Sequence, residues 1–122
     1  MDTELISHVK SMVYLKTNNG IEAFSVSNII YFFIENGRVK MVLYKGKAVL
    51  LRYSLTKLEA IFSTYQFYRC HAKILINLTH FRYYNHKSSI VVLNNNIKIS
   101  VAYDRKTAFY QLVNNLLAST SC

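Results

Sequence analysis

The stretch Ile29-Ile30-Tyr31-Phe32-Phe33-Ile34 decides the fold class. It is a strongly apolar run of β-branched and aromatic residues, the types that suit a pleated, buried surface. Glu35-Asn36-Gly37 follows as a turn, and Arg38 to Tyr44 returns with period two through Val39-Lys40-Met41-Val42-Leu43. Lys45-Gly46 reads as the next turn and Lys47 to Tyr53 as the partner strand. Upstream, Met12 to Lys16 and Ile21 to Val26 read as strands joined by Thr17-Asn18-Asn19-Gly20, whose Asn-Gly pair suits a hairpin turn. Ser27-Asn28 interrupts the pattern before the central strand.

Downstream the period changes at Ser54. Its hydroxyl is placed to cap a helix that carries Leu55, Leu58, Ile61 and Phe62 as a narrow apolar stripe. Gln66 to His71 is extended again, whereas Ile74-Leu75-Ile76 is too short a run to assign. Phe81 to Asn85 and Ser89 to Leu93 form a hairpin around His86-Lys87-Ser88, and Asn94-Asn95-Asn96 turns into a short strand, Ile97 to Val101. From Tyr103 onward Ala108, Phe109, Leu112, Val113, Leu116 and Leu117 fit a C-terminal helix whose stripe reads as core packing. The fold class is therefore mostly β, or α+β by helix count. No repeat and no low-complexity segment interrupts it.

At 122 residues the chain has the length of one domain, and 52% hydrophobic residues supply a core. Residues 1–10 read as a short N-terminal lead or linker and residues 11–122 as the domain. No apolar run is long enough to cross a bilayer, and the N-terminal MDTELISHVK lacks the parts of a signal peptide. Cys70 and Cys122 are too few for a disulfide framework and have no metal-ligand spacing, which points to the reducing cytoplasm.

Charge narrows the function further. The formal net charge is +9. From Arg38 to Lys106 there are thirteen Lys and Arg against Glu59 and Asp104, a local net of +11. The first thirty-seven residues hold two Lys against four acids, a local net of −2. Clustered positive charge binds polyanions by releasing their condensed counterions. An idle solvated surface, an anionic membrane or an acidic partner are the other readings of charge alone. The arrangement excludes more than it leaves. His8, His71, His80 and His86 pair with no His, Cys or carboxylate at a metal-binding spacing, and the six acids are scattered. No Gly-rich phosphate loop or nucleophile elbow occurs, so neither an enzyme, a cofactor, a metal nor a small-molecule substrate is expected. Cys70 between Arg69 and His71 reads either as a redox-sensitive thiol or as a small semi-buried strand residue. The two helices lie far apart with hairpins between them, unlike a helix-turn-helix, so any contact with DNA falls to strands and loops.

Five segments in order are more specific than composition. Asn28-Ile29-Ile30-Tyr31-Phe32, Ser54-Leu55 with Leu58-Glu59, Phe67-Tyr68-Arg69-Cys70-His71, Ile76-Asn77-Leu78-Thr79-His80 and Ile97-Lys98-Ile99-Ser100 together resemble the LytTR family of bacterial DNA-binding domains. The resemblance runs from about Val13 to Leu117. It implies an elongated fold of small antiparallel sheets with one mid-chain helix and a C-terminal helix, with loops entering the major groove of double-stranded DNA. It also implies a transcriptional regulator of the response-regulator kind, binding as two copies on repeated half-sites. Nothing N-terminal of Ser11 is large enough for a receiver domain, so a stand-alone regulator or a fragment is expected.

The resemblance implies that three regions face the DNA, which here fall at Glu35 to Val39, His71 to Lys73, and Ser100 to Lys106. The residues expected there are Asn36, Arg38, Arg69, His71, Ala72, Lys73, Ala102, Tyr103, Arg105 and Lys106. Two departures from the family pattern stand out. Ala72 and Lys73 follow the His where Arg or Asn and then Ser are usual, and Val101 and Ala102 follow Ser100 where Arg is usual. Bidentate contacts to guanine or adenine are thus missing at two places. Ala72 or Ala102 can touch a thymine methyl and Arg105 or Lys73 can hold phosphate, so backbone contacts and DNA shape carry more of the binding. Asn77 is expected to serve a local backbone group rather than a base. His71 either braces its loop or meets a phosphate, and Tyr103 either packs or does the same. The alternative functions are a protein-interaction or dimerisation module with degenerate DNA recognition, and an RNA or single-strand binder using its tyrosines.

Overall fold

The structure, a computed structural model, describes residues 12–120, with side chains through residue 117. The lead expected at residues 1–10 and the thiol of Cys122 lie outside the described residues. In chain order the elements are β1 (Met12–Thr17), β2 (Gly20–Ser25), β3 (Ile29–Glu35), β4 (Arg38–Leu43), β5 (Ala48–Leu51), α1 (Leu55–Ile61), β6 (Phe67–His71), β7 (Ile74–Asn77), β8 (Phe81–Asn85), β9 (Ile90–Leu93), β10 (Ile97–Ser100) and α2 (Lys106–Thr120). A short 3-10 turn at Tyr103–Arg105 leads into α2. Seven strands form one antiparallel sheet in the order β2-β1-β5-β4-β3-β7-β6, and β10-β9-β8 form a second. Among the described residues the chain adopts the expected mostly β architecture with two α-helices.

β3 explains the opening apolar run. Its neighbours are β4 and β7, with Phe32 opposite both Met41 and Leu75. These three side chains meet Leu55, Leu58 and Phe62 from α1 and its end in one core. Ile30 and Ile76 belong to a second core, with Val91, Leu93, Ile99 and Phe109 from the small sheet and α2. Strands covered on both faces read as continuous hydrophobic runs instead of alternating ones. The same reason resolves Ile74-Leu75-Ile76, which is strand β7 with Leu75 in one core and Ile76 in the other. A register irregularity between Ile29 and Tyr31 lets Ile29 and Phe32, three residues apart, face the same core while Ile30 and Tyr31 both face the other.

The aromatic side chains fasten these layers. Phe62 lies 5.3 Å from Phe32 and 4.7 Å from Phe67, centroid to centroid, and Phe109 of α2 meets Tyr84 edge-on at 4.9 Å. The stripe on α2 is buried at Phe109 and half-buried at Leu112 and Val113, but Leu116 and Leu117 are exposed. Among the described residues Leu112 and Val113 are the last of the stripe packed against the second core.

Local signals account for the boundaries. Ser54 Oγ accepts the Lys57 N–H at 3.0 Å, capping α1 as its position suggested. Between β3 and β4 the loop is Asn36-Gly37, both at positive φ (53° and 75°), which matches the twist of the flanking strands. In the first hairpin Thr17 pairs with Gly20, so the loop is Asn18-Asn19 and Asn19-Gly20 is not the turn pair. Thr17 Oγ1 accepts the Asn19 N–H at 3.0 Å and holds that register. β5 ends at Leu51, short of Tyr53, whose hydroxyl instead accepts the Lys16 N–H at 3.0 Å.

Asn77 joins β7 to the approach of β3. Its Nδ2 donates to Ile29 O at 2.8 Å and Val26 O at 3.4 Å, while Oδ1 accepts from Thr79 N at 3.0 Å and Thr79 Oγ1 at 2.9 Å. The side chain is buried and serves the main chain, as its type suggested. Replacing it takes a donor away from the buried Ile29 and Val26 carbonyls. Asn77→Ala should lower stability by about 1–3 kcal/mol; urea denaturation with an unchanged m-value checks it.

Candidate nucleic-acid interface

Sheet order brings the three expected regions together. β7 runs antiparallel to β3 and begins with Ile74 opposite Phe33, so the β6–β7 turn stands beside the β3–β4 hairpin. Ile34 N–H donates to Lys73 O at 3.1 Å and fixes the two tips to each other. On the other side, Ala102 N–H donates to Cys70 O at 2.9 Å, and Arg105 Nη1 donates to Arg69 O at 2.7 Å. The segment that leads into α2 is thereby tied to β6. The regions 35–39, 71–73 and 100–106 form a hydrogen-bonded row.

Side chains in that row differ in what they are free to do. Asn36 and Arg38 are exposed at the hairpin tip. Lys40 is engaged there by Glu35 at 2.7 Å. Ala72 and Lys73 are exposed at the second turn. Among the described residues Arg38, Lys73 and Lys106 have no ion-pair partner. His71 Nδ1 accepts the Lys73 N–H at 3.1 Å, so this ring braces its own loop. Tyr103 is 88% exposed, with the Lys106 ammonium 5.6 Å from its ring centroid. It is a surface aromatic, and the packing reading is set aside. Val101 is buried in the second core and Ala102 is half-buried, so position 101 turns inward.

Arg69 departs most from the expectation of an open basic residue. Nε and Nη2 both donate to Ala72 O, at 3.2 and 2.5 Å. Nη1 donates to Thr56 Oγ1 at 3.1 Å and Glu59 Oε1 at 3.2 Å on α1. All three guanidinium nitrogens are committed within the fold. Thr56 and Glu59 carried no assigned role in the sequence. Their signal was spacing, since residues three apart on a helix stand on one side, and Leu55 and Leu58 fix the adjoining side as core.

Outside the row, His80 is buried at the seam between the sheets. Its Nε2 donates to Ser27 O at 2.6 Å and its Nδ1 accepts from Asn94 Nδ2 at 2.9 Å, a structural tie. Among the described residues no three His, Cys, Asp or Glu side chains converge to hold a metal. No helix among them is long and apolar enough to cross a membrane.

Comparison with known proteins agrees with this architecture. The family model for the LytTr DNA-binding domain matches residues 7–114. A solved structure from Bacillus cereus, the LytTr DNA-binding domain of a protein described as a methyl-accepting/DNA response regulator, superposes with a TM-score of 0.71 at 23% identity. The alignment covers 84% of this chain and 96% of that one. No protein of curated function matches the chain.

Cys70 lies directly beneath the row, and its two sequence readings can now be separated. It is fully buried, and burial pushes its thiol up to about 12. The main-chain hydrogen bond and the Arg105 charge act in the opposite sense but are outweighed. The thiolate is the reactive form, and burial disfavours it. In a Cys122→Ser background the native protein should therefore release no colour from Ellman's reagent at pH 8, and one equivalent once urea is added.

Proposed function

Because the chain belongs to the LytTR family of DNA-binding domains, we propose that it binds double-stranded DNA, as part of a transcriptional regulator, through the row of three loops. The observation that carries this reading is the row itself. Arg38 at the head of β4, Lys73 in the β6–β7 turn and Lys106 at the head of α2 stand in or at the ends of these loops, without an acidic partner among the described residues. They hold phosphates. Among the described residues each α-helix uses one face for packing, α1 on the first core and α2 on the second, so we assign the groove contact to the loops and not to a helix. The loops enter the major groove in its place.

Base reading is concentrated at the hairpin tip. Asn36 and Arg38 carry the side chains able to make paired hydrogen bonds to adenine and guanine edges. Ala72 and Ala102 offer methyl groups to thymine, and Tyr103 and His71 add contacts beside the backbone. Arg105, with one nitrogen on Arg69 O, retains donors for phosphate. Arg69 belongs to the interface through the turn it holds. Two copies sit on repeated half-sites, and binding needs no cofactor, metal or catalytic step.

The buried Val101 and the alanines at 72 and 102 favour weak sequence discrimination, and a dimerisation module is the second reading. Selection of duplexes from a random pool separates the two. Enrichment of a motif supports DNA recognition, whereas no salt-dependent binding to any duplex leaves the dimerisation reading. Within the first outcome, Lys73→Ala and Lys106→Ala should each shallow the slope of log K against log salt by about one, because each phosphate contact releases about one counterion.

A further inference from the structure

Both polar groups of the peptide unit joining Ala72 to Lys73 are held by side chains. Its carbonyl accepts two donors from Arg69, and its N–H donates to His71 Nδ1. The next carbonyl, Lys73 O, accepts the Ile34 N–H. The exposed Lys73 side chain therefore projects from a main chain that is fixed on both sides. The guanidinium that fixes it is itself seated on α1 by Thr56 and Glu59.

Glu59 is the feature that asks for an explanation. Between Arg38 and Lys106 it is one of two acids among thirteen cations. An acid beside a phosphate-binding row repels the ligand, so its presence costs affinity unless it acts otherwise. The Arg69 side chain is 18% exposed against 50% for Glu59, so the cation is the inner member of the pair. Its planar fork can serve Ala72 O and the α1 acceptors together, which the point charge of a lysine cannot do.

We propose that Arg69, seated by Glu59 and Thr56, is a positioning residue that presets the Ala72–Lys73 turn for DNA, and that it makes no phosphate contact of its own. This rests on the duplex-binding reading above. A loop ordered before contact loses less freedom on binding, so the brace raises affinity without adding a charge to the interface.

The two roles predict opposite results for Glu59→Gln. A purely electrostatic view makes this variant bind duplex more tightly, since an acid is removed. The brace makes it bind more weakly, by about two- to fivefold, the loss of one partly exposed ion pair, with the salt slope unchanged. Arg69→Lys keeps the charge and should weaken binding about tenfold, the loss of charge-assisted hydrogen bonds, again at the wild-type slope. A phosphate contact would be rescued by lysine, and Arg69→Ala would shallow the slope by about one. Tighter binding by Glu59→Gln, or lysine rescue at position 69, overturns the proposal.

A second measurement needs no DNA. Amide hydrogen exchange of the free protein should speed up at Lys73 in both variants, with Met41 and Val92 unchanged as a check on the fold. Wild-type exchange at Lys73 in both variants overturns the brace. If wild-type protein shows no salt-dependent duplex binding, the functional reading fails, and the exchange data still decide whether Arg69 sets the turn.

Discussion

Strands β3 and β7 are buried on both faces, and that constraint sets where the three loops stand. Phe32 and Leu75 face one core while Ile30 and Ile76 face the other. Each large side chain so buried contributes on the order of 1.5–3 kcal/mol. A slip of one residue between these strands would exchange the contents of both cores, so the register is fixed twice over. The loop ends inherit that register. Ile34 N–H meets Lys73 O only because Phe33 is opposite Ile74. The positions of Arg38 and Lys73 thus follow from packing well away from either side chain.

How much of this was legible follows the same division. Hairpins announced by turn residues were readable, since Asn36-Gly37 needs positive φ at both positions and little else suits it. Strand β7 was not, because burial on both faces removes the alternation that marks a strand, and four residues are too few to show a period. Asn19-Gly20 misled for a local reason: the Thr17 hydroxyl captures Asn19 N–H and moves the loop one residue earlier. At the proposed interface, the resemblance to the LytTR family indicated the three loops. Which cations remain available depended on partners thirteen and thirty-six residues away, at Thr56 for Arg69 and at Arg69 O for Arg105. Pairings of that kind leave no local pattern.

The basic band therefore has an internal division that a count of charges conceals. Arg69 faces Glu59, Lys40 faces Glu35, and Arg105 donates to the main chain of β6. Within the three loops and their ends, Arg38, Lys73 and Lys106 have no acidic partner among the described residues. On the proposed function, long-range attraction comes from the whole band, while contact falls to a few exposed groups. Their spacing is fixed by the hydrogen bonds between neighbouring loops, including those made by cations that sit further in.

This division also bears on sequence recognition. Direct reading of bases needs planar donors and acceptors aimed at base edges, and lysine and alanine provide neither the fork nor the polarity. Position 101 is turned into the second core, and 72 and 102 end in methyl groups. Within the proposed interface, the forked side chains left in the open belong to the β3–β4 hairpin, at Asn36 and Arg38. On the proposed function, gripping the backbone and testing the shape of the groove fall to the other two loops. Their rigidity then matters more than their chemistry. A shape is measured only by a surface that does not yield, and the main-chain ties at Lys73 O, Cys70 O and Arg69 O give the loops that stiffness.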